Sequence, residues 1–203
     1  MFLNKYNLIN NKEIYTLILL ILFSIFIRIP VVAIYGDVGL NNEWATLVAN
    51  LVEYKQLGWV NCQFAYYTTE VCFEEGMLLP NLWMPPLYAY YLYFFSFFNL
   101  ENKNYIILIL SSQILLASIS VVVFYKINNF FFSQKISFYS SLIFSLFPLH
   151  MYACSQISSI SLQMFLVMFY LYIFFQFVKK KNLSTIVVFS FLSGLLILLR
   201  GEF

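Results

Sequence analysis

Long runs of apolar residues alternate with short polar stretches along most of this chain. Five of these runs approach the roughly 20 residues that a helix needs to cross a hydrocarbon core about 30 Å thick. They are residues 14–35, 105–125, 136–153, 157–178 and 183–199. The pattern therefore predicts an all-α fold, a polytopic transmembrane helix bundle with about five spans.

A sixth apolar run, residues 87–98, has only 12 residues. A helix of that length rises about 18 Å, which is too little to cross the bilayer. We therefore expect it to lie at the membrane surface and not to span.

The lysines support this interpretation. If residues 87–98 do not cross, seven lysines lie on one side of the membrane and Lys55 and Lys103 on the other; if they cross, the division is three against six. The seven are Lys5, Lys12, Lys126, Lys135, Lys179, Lys180 and Lys181. Since lysines concentrate on the cytoplasmic side, we predict a cytoplasmic N-terminus and a large external loop, residues 36–104. The protein is then a multi-pass protein of the cell membrane, the inner membrane where a cell has two.

Two juxtamembrane helices are predicted within the external loop. Residues 41–55 repeat apolar side chains at the spacing of one helical face, and Gly58 is expected to end this helix. The repeated side chains are Trp44, Leu47, Val48, Leu51 and Tyr54. Residues 86–99 begin at a proline suited to a first helical turn and carry aromatic rings that favour the membrane interface. A purely anchoring role is the alternative for this second helix.

Composition excludes other classes of protein. Hydrophobic residues make up 62% of the chain and charged residues 10%, whereas soluble domains carry about 25% charged residues. A net charge of +2 gives no footprint for nucleic acid. Membrane lipids are therefore the expected surroundings, and no nucleic-acid partner is expected.

Acidic residues concentrate in the external loop. Seven of the nine lie there: Asp37, Glu43, Glu53, Glu70, Glu74, Glu75 and Glu101. They either solvate an exposed loop or include a catalytic carboxylate just above the bilayer. Glu43 has a structural alternative, because a carboxylate in the first turn of a helix is stabilised by the helix dipole.

The cysteines and the single histidine show no metal-ligand spacing. Cys62 and Cys72 lie in the external loop, where a disulfide and two separate thiols both stay open. His150 alone cannot form a histidine-rich metal centre. The sequence assigns no cofactor and no metal ligands, and a divalent metal ion stays an open alternative.

Short motifs follow one another in a definite order along the chain. Arg28 lies late in the first span, and Asn42-Glu43-Trp44-Ala45 opens the first loop helix. Trp83-Met84-Pro85-Pro86-Leu87-Tyr88 leads into the aromatic helix. The later motifs are Phe147-Pro148 followed by Tyr152, Gly194 in the last span, and Leu198-Leu199-Arg200 at its end. His150 lies near Tyr152 at the external end of its span. Their order and predicted topology carry more information than any one motif.

This order resembles the polytopic glycosyltransferases of the GT-C group, with protein O-mannosyltransferase-like and aminoarabinose-transferase-like members. The resemblance covers nearly all of residues 14–203. It implies transfer of a sugar from a polyprenyl-phosphate donor to a lipid, glycan or protein acceptor at the external face. Relatives in this group are two or three times longer, so we expect the chain to be the N-terminal part of such an enzyme.

The resemblance also assigns roles to residues. Glu43 is the expected general base on the acceptor, with Asp37 second, since sugar transfer needs a base for the incoming hydroxyl or amine. Arginine suits the leaving phosphate because of its fork of donors. The expected substrate-binding residues are Arg28, Trp83, Pro86, Tyr88, His150, Tyr152 and Arg200. The structural alternatives are snorkelling of Arg28 to the interface and a helix-end charge on Arg200 paired with Glu202. For His150 the alternative is a polar group at the end of a span.

The sequence departs from the family pattern at two points. Many members have an acid where this chain has Asn42, and many carry another acid in the stretch that here reads Gln156-Ile157-Ser158-Ser159-Ile160-Ser161. The sequence therefore lacks the residue expected to supply a second catalytic carboxylate, and a metal site that relies on that carboxylate lacks an expected ligand. The rival interpretations are a transporter or assembly subunit without enzymatic activity, and an inactive truncated fragment.

Overall fold

The fold is a bundle of helices with one short pair of strands. The computed structural model describes residues 11–40, 42–60, 78–80, 84–98 and 101–200. The helices in this part of the chain are α1 (Asn11–Tyr35), α2 (Asn42–Tyr54), α3 (Pro86–Ser96), α4 (Asn102–Asn128), α5 (Gln134–Ser145), α6 (Pro148–Ala153), α7 (Ile160–Lys180) and α8 (Leu183–Leu199). The antiparallel strands are β1 (Gly58–Val60) and β2 (Leu78–Pro80).

Among the described residues, three helices are long and apolar enough to cross a membrane. They are Lys12–Tyr35, Asn102–Asn128 and Ile160–Lys179. The shorter apolar helix α8 coincides with the predicted span 183–199 and rises about 26 Å. The prediction of a helical membrane bundle is confirmed.

The predicted span at residues 136–153 contains two helices and not a single continuous one, while its crossing of the membrane stays a prediction. It is divided into α5 and α6 by a break at Leu146 and Phe147. Pro148 causes the break, because it has no N–H to donate and it forces the preceding residue out of the helical region. Phe147 accordingly has an extended backbone (φ −62°, ψ 117°), and Pro148 starts the new helix.

Helix α4 lies at the centre of the bundle, in contact with α1, α3, α5 and α7. Its neighbour α5 turns three fully buried serines inward at four-residue spacing: Ser137, Ser141 and Ser145. The hydrophobic effect does not drive helices together within lipid. Close van der Waals packing does so instead, and small side chains allow it. The serines of α5 are therefore packing residues.

The two ends of the bundle differ in charge. At one end Glu13 of α1 forms an ion pair with Lys126 of α4, and Lys179 of α7 lies over the ring of Phe130. At the other end, called here the loop end, the amide of Gln156 donates to the carbonyl of Tyr35 (2.9 Å). The grouping of these lysines at one end agrees with the predicted topology, while the assignment of that end to the cytoplasm stays a prediction.

Helices α2 and α3 pack on each other, and α3 packs on α4 and α8. The buried face of α2 holds Trp44, Leu47, Val48 and Leu51, as its spacing predicts, whereas Tyr54 is exposed. Gly58 does not end this helix, contrary to expectation. Lys55 takes the left-handed position after Tyr54 (φ 57°), and Gly58 opens β1, where its carbonyl accepts from the Asn50 amide (2.7 Å).

Candidate functional site

Arg28 is fully buried within the bundle. Its guanidinium donates to the carbonyl oxygen of Ser24 (3.0 Å) and to the Ser24 hydroxyl, one helical turn earlier. Helical side chains lean toward the N-terminus, so the charged group points toward the middle of α1 and away from the loop end. The arrangement differs from snorkelling, in which the charged group reaches water.

His150 of α6 is the partner of Arg28 from another helix. The Arg28 Nη2 atom lies 3.1 Å from His150 Nδ1. A guanidinium can only donate, so Nδ1 must accept, and the ring proton of a neutral His150 then resides on Nε2. His150 Nε2 and Arg28 Nε are both buried without a hydrogen-bond partner among the described residues. The pair therefore retains two buried N–H donors with no acceptor.

No described carboxylate neutralises Arg28. The ion pair found in the described part of the chain joins Glu13 to Lys126, at the opposite end of the bundle. The Cys154 thiol is buried beside Arg28. The Phe144 ring lies 4.9 Å from the ring of His150. Within the described part of the chain, the charge of Arg28 thus has hydrogen-bond partners but no anionic partner.

A second buried group joins α3, α4 and the turn before α7. The Gln113 amide donates to the Tyr88 hydroxyl (2.9 Å) and to the Ser158 carbonyl (3.3 Å). Tyr88 and Gln113 are both fully buried, and the Trp44 ring meets the Tyr88 ring edge-on with centroids 4.8 Å apart. Burial raises the pKa of Tyr88 far above its ordinary value, and the nearby groups Tyr91 and Asp37 add to this effect. The phenol therefore stays protonated.

Asp37 joins the end of α1 to the turn before α7. Its Oδ2 accepts from the backbone N–H of Ile157 (2.6 Å), and its own N–H donates to the Ser155 carbonyl (3.0 Å). One carboxylate oxygen is thus used to hold the turn.

The other predicted site residues lie on different parts of the loop end. Glu43 is exposed in the first turn of α2, next to the buried Trp44. Arg200 follows α8 and donates to the Gln163 side chain of α7 (3.1 Å). Tyr152 is 52% exposed, and Pro86 is half-buried at the start of α3. Trp83, Glu202, Cys62 and Cys72 lie outside the described residues.

The structure thus brings Arg28 to His150. It gives Arg200 a partner on α7 and leaves the side chains of Glu43 and Tyr152 exposed. Four residues whose polar side chains or carbonyls take part in these contacts are not predicted as site residues from the sequence: Ser24, Gln113, Ser158 and Gln163. Gln113 carries the clearest signal, because it is a glutamine in the middle of an apolar run.

No group of three His, Cys, Asp or Glu side chains suited to a metal ion occurs in the described ranges. Comparison with protein-family models, curated proteins and solved structures finds no match to this chain. The fold defines the class, a polytopic helical membrane protein, and a proposal about its function has to be argued from the candidate site alone.

Proposed function

We propose that the protein is a GT-C type membrane glycosyltransferase, or the N-terminal part of one. It transfers a sugar from a polyprenyl-phosphate donor to a lipid, glycan or protein acceptor at the external face. The observation that carries the proposal is Arg28, a buried cation with a free N–H donor and no described counterion.

An unpaired charge of this kind needs a reason to persist. A charged side chain at the centre of a membrane helix costs about 2.5–3.5 kcal/mol on insertion scales. Replacement of such a group by an apolar one is often neutral or stabilising. An anionic ligand would offset the cost, and phosphate suits the guanidinium fork because it accepts two parallel hydrogen bonds.

The position of Arg28 favours a phosphate attached to a lipid. Arg28 lies seven residues before Tyr35, the end of α1, which corresponds to about 10 Å along the helix axis. Its guanidinium is turned still further inward, toward Ser24. A ligand must therefore enter the bundle, and a polyprenyl phosphate can do so while its hydrocarbon chain stays in the bilayer.

The proposed chemistry uses a carboxylate at the loop end. An acceptor hydroxyl attacks the anomeric carbon of the donor, Glu43 takes its proton, and the bond from that carbon to the phosphate oxygen breaks. The electron pair leaves with the lipid phosphate, which Arg28 and His150 stabilise. Glu43 is exposed and can meet an acceptor, whereas Asp37 already uses one oxygen to hold Ile157. We therefore assign the base to Glu43, with Asp37 second.

A transfer assay tests this proposal. The complete protein in lipid nanodiscs is given radiolabelled polyprenyl-phosphate hexoses and pentoses together with membrane lipid, glycan and peptide acceptors. Glu43→Gln should lower transfer about 100-fold, the lower range for loss of general-base catalysis. Arg28→Gln should abolish it, while Lys135→Gln, an exposed change at the opposite end, should not alter it. Transfer undiminished in Glu43→Gln would contradict the base assignment, and no transfer from any donor would favour a non-enzymatic membrane protein.

A further inference from the structure

The group formed by Tyr88, Gln113 and Ser158 is built from uncharged polar side chains. Gln113 lies in the middle of α4 and is 0% exposed, as is Tyr88 of α3. Ser158 belongs to the turn between α6 and α7. Uncharged side chains that can both donate and accept suit a neutral hydroxyl, which does the same.

The group has hydrogen-bonding capacity that the described protein does not use. Gln113 commits its amide hydrogens to the Tyr88 hydroxyl and the Ser158 carbonyl. Its Oε1 and the Ser158 hydroxyl are buried without a partner. The Tyr88 hydroxyl accepts from Gln113, so its own hydrogen is still available to donate. Three groups around the Gln113 amide are therefore left open. They are the Gln113 Oε1 acceptor, the Tyr88 O–H donor and the Ser158 hydroxyl, which can act as either.

Such open groups are costly, since a buried polar atom without a partner loses its hydration. A ligand hydroxyl both donates and accepts, so one hydroxyl can satisfy Gln113 Oε1 and the Tyr88 O–H together. A site that hydrogen-bonds a hydroxyl in this way rejects analogues that lack it, because its own polar groups then stay unpaired.

The level of Gln113 in the bundle gives the ligand an orientation. Gly36 packs against Leu110, and α1 and α4 run in opposite directions. Gln113 is then level with residue 33 of α1, five residues and about 8 Å nearer the loop end than Arg28. The uncharged group thus lies between the Arg28–His150 pair and the acidic loop end that carries Asp37.

We infer that Tyr88, Gln113 and Ser158 form the subsite for the sugar of the donor and bind one of its hydroxyls. This inference rests on the proposed function, in which Arg28 and His150 hold the phosphate. The phosphate then lies deeper in the bundle and the sugar lies above it. The bond from the anomeric carbon to the phosphate points inward, so the acceptor attacks the opposite face of that carbon from the loop end.

Two ligands separate the sugar subsite from the phosphate site. Binding of radiolabelled polyprenyl phosphate and of polyprenyl-phosphate hexoses and pentoses is measured on the complete protein in nanodiscs. Gln113→Leu should weaken the tightest sugar-bearing donor about tenfold, the worth of about one hydrogen bond, and leave polyprenyl phosphate unchanged. Tyr88→Phe removes only a hydroxyl and should act in the same direction. The matched control is Gln176→Leu, since Gln176 also bonds a tyrosine hydroxyl (Tyr172, 2.7 Å) but on α7; it should alter neither ligand.

The outcomes distinguish the two proposals. Equal weakening of both ligands, or of neither, in Gln113→Leu and Tyr88→Phe overturns the sugar subsite. Equal affinity of the unmodified protein for polyprenyl phosphate and every sugar-bearing donor also overturns it, yet leaves the phosphate site standing. Failure of the unmodified protein to bind any of these ligands overturns the proposed function itself.

Discussion

The position of Arg28 is the feature that most needs a physical explanation. Arg28 is fully buried, and its side chain points toward the middle of its helix. Its partner from another helix is the neutral imidazole of His150. Stability alone does not favour such an arrangement, because an apolar side chain of similar volume avoids the desolvation cost. A functional residue that costs stability in the absence of ligand is the expected result of selection for binding.

This cost predicts opposite effects of one substitution on stability and binding. Arg28→Met should leave the ligand-free protein as stable as the original or raise its melting temperature, because a desolvated charge is removed. It should also abolish the rise in melting temperature that polyprenyl phosphate produces in the original protein. Thermal unfolding in detergent with and without polyprenyl phosphate measures both. Leu20→Ala is the control for ordinary core damage, since Leu20 is fully buried on the same helix and should cost about 2–5 kcal/mol. A loss of stability in Arg28→Met as large as that of the control would contradict the account.

His150 offers a spectroscopic prediction. Because Arg28 can only donate, we expect the neutral tautomer with its proton on Nε2 and a bare Nδ1. The chain has a single histidine, so ¹⁵N chemical shifts of histidine-labelled protein in lipid report this ring without ambiguity. Arg28→Met should remove the preference for this tautomer. A proton on Nδ1 in the original protein would exclude the observed hydrogen bond.

At the scale of elements, the spans and the loop helices follow from the apolar pattern, but the break between α5 and α6 shows where pattern alone fails. Hydropathy treats residues 136–153 as continuous, while Pro148 imposes an extended backbone on Phe147. The break fixes the direction of α6, which carries His150. Sequence therefore predicts which residues are polar at this point, but the backbone geometry decides that His150 meets Arg28.

The α4–α5 contact gives a prediction at this scale. Ser141 is fully buried in the row of small residues on α5, whereas Tyr139 of the same helix is 64% exposed. Ser141→Leu should force the helices apart and cost about 1–3 kcal/mol, the usual effect of overpacking. Tyr139→Leu should change the free energy of unfolding by less than about 0.5 kcal/mol. Denaturant titration in mixed micelles measures both variants, and equal effects would mean that the serines do not set the helix spacing.

The candidate site was predictable only in part. Arg28, His150 and Tyr88 stand out in the sequence because charged or polar groups are rare in and beside apolar spans. Ser24 and Ser158 do not, since single serines are common in spans. Gln113 is a visible polar residue in an apolar run, but its role depends on which helices meet. The contact of Asp37 with Ile157 joins residues 120 positions apart, and no local pattern contains that information.

For the molecule as a whole, the lysines predict the orientation. The end with Lys126 and Lys179 should face the cytoplasm and the end with Lys103 should face outward. In a variant whose native cysteines are serines, Lys135→Cys should be labelled by an impermeant maleimide only after the membrane is opened. Lys103→Cys should be labelled in intact cells. The reverse pattern would place the loop end, with Asp37 and Glu43, on the cytoplasmic side. It would contradict the proposed external reaction.

The central claim is that Arg28 binds the phosphate of a lipid-linked donor, and a distance measurement tests it most directly. The chain has only two arginines, Arg28 and Arg200, so in an Arg200→Lys variant every arginine signal comes from Arg28. Solid-state NMR then measures the distance from the ³¹P of polyprenyl phosphate to the ¹⁵N-labelled guanidinium in nanodiscs. The account predicts a distance of about 4 Å, which corresponds to a charge-assisted hydrogen bond to a phosphate oxygen. Bound polyprenyl phosphate without measurable coupling to this guanidinium would contradict it.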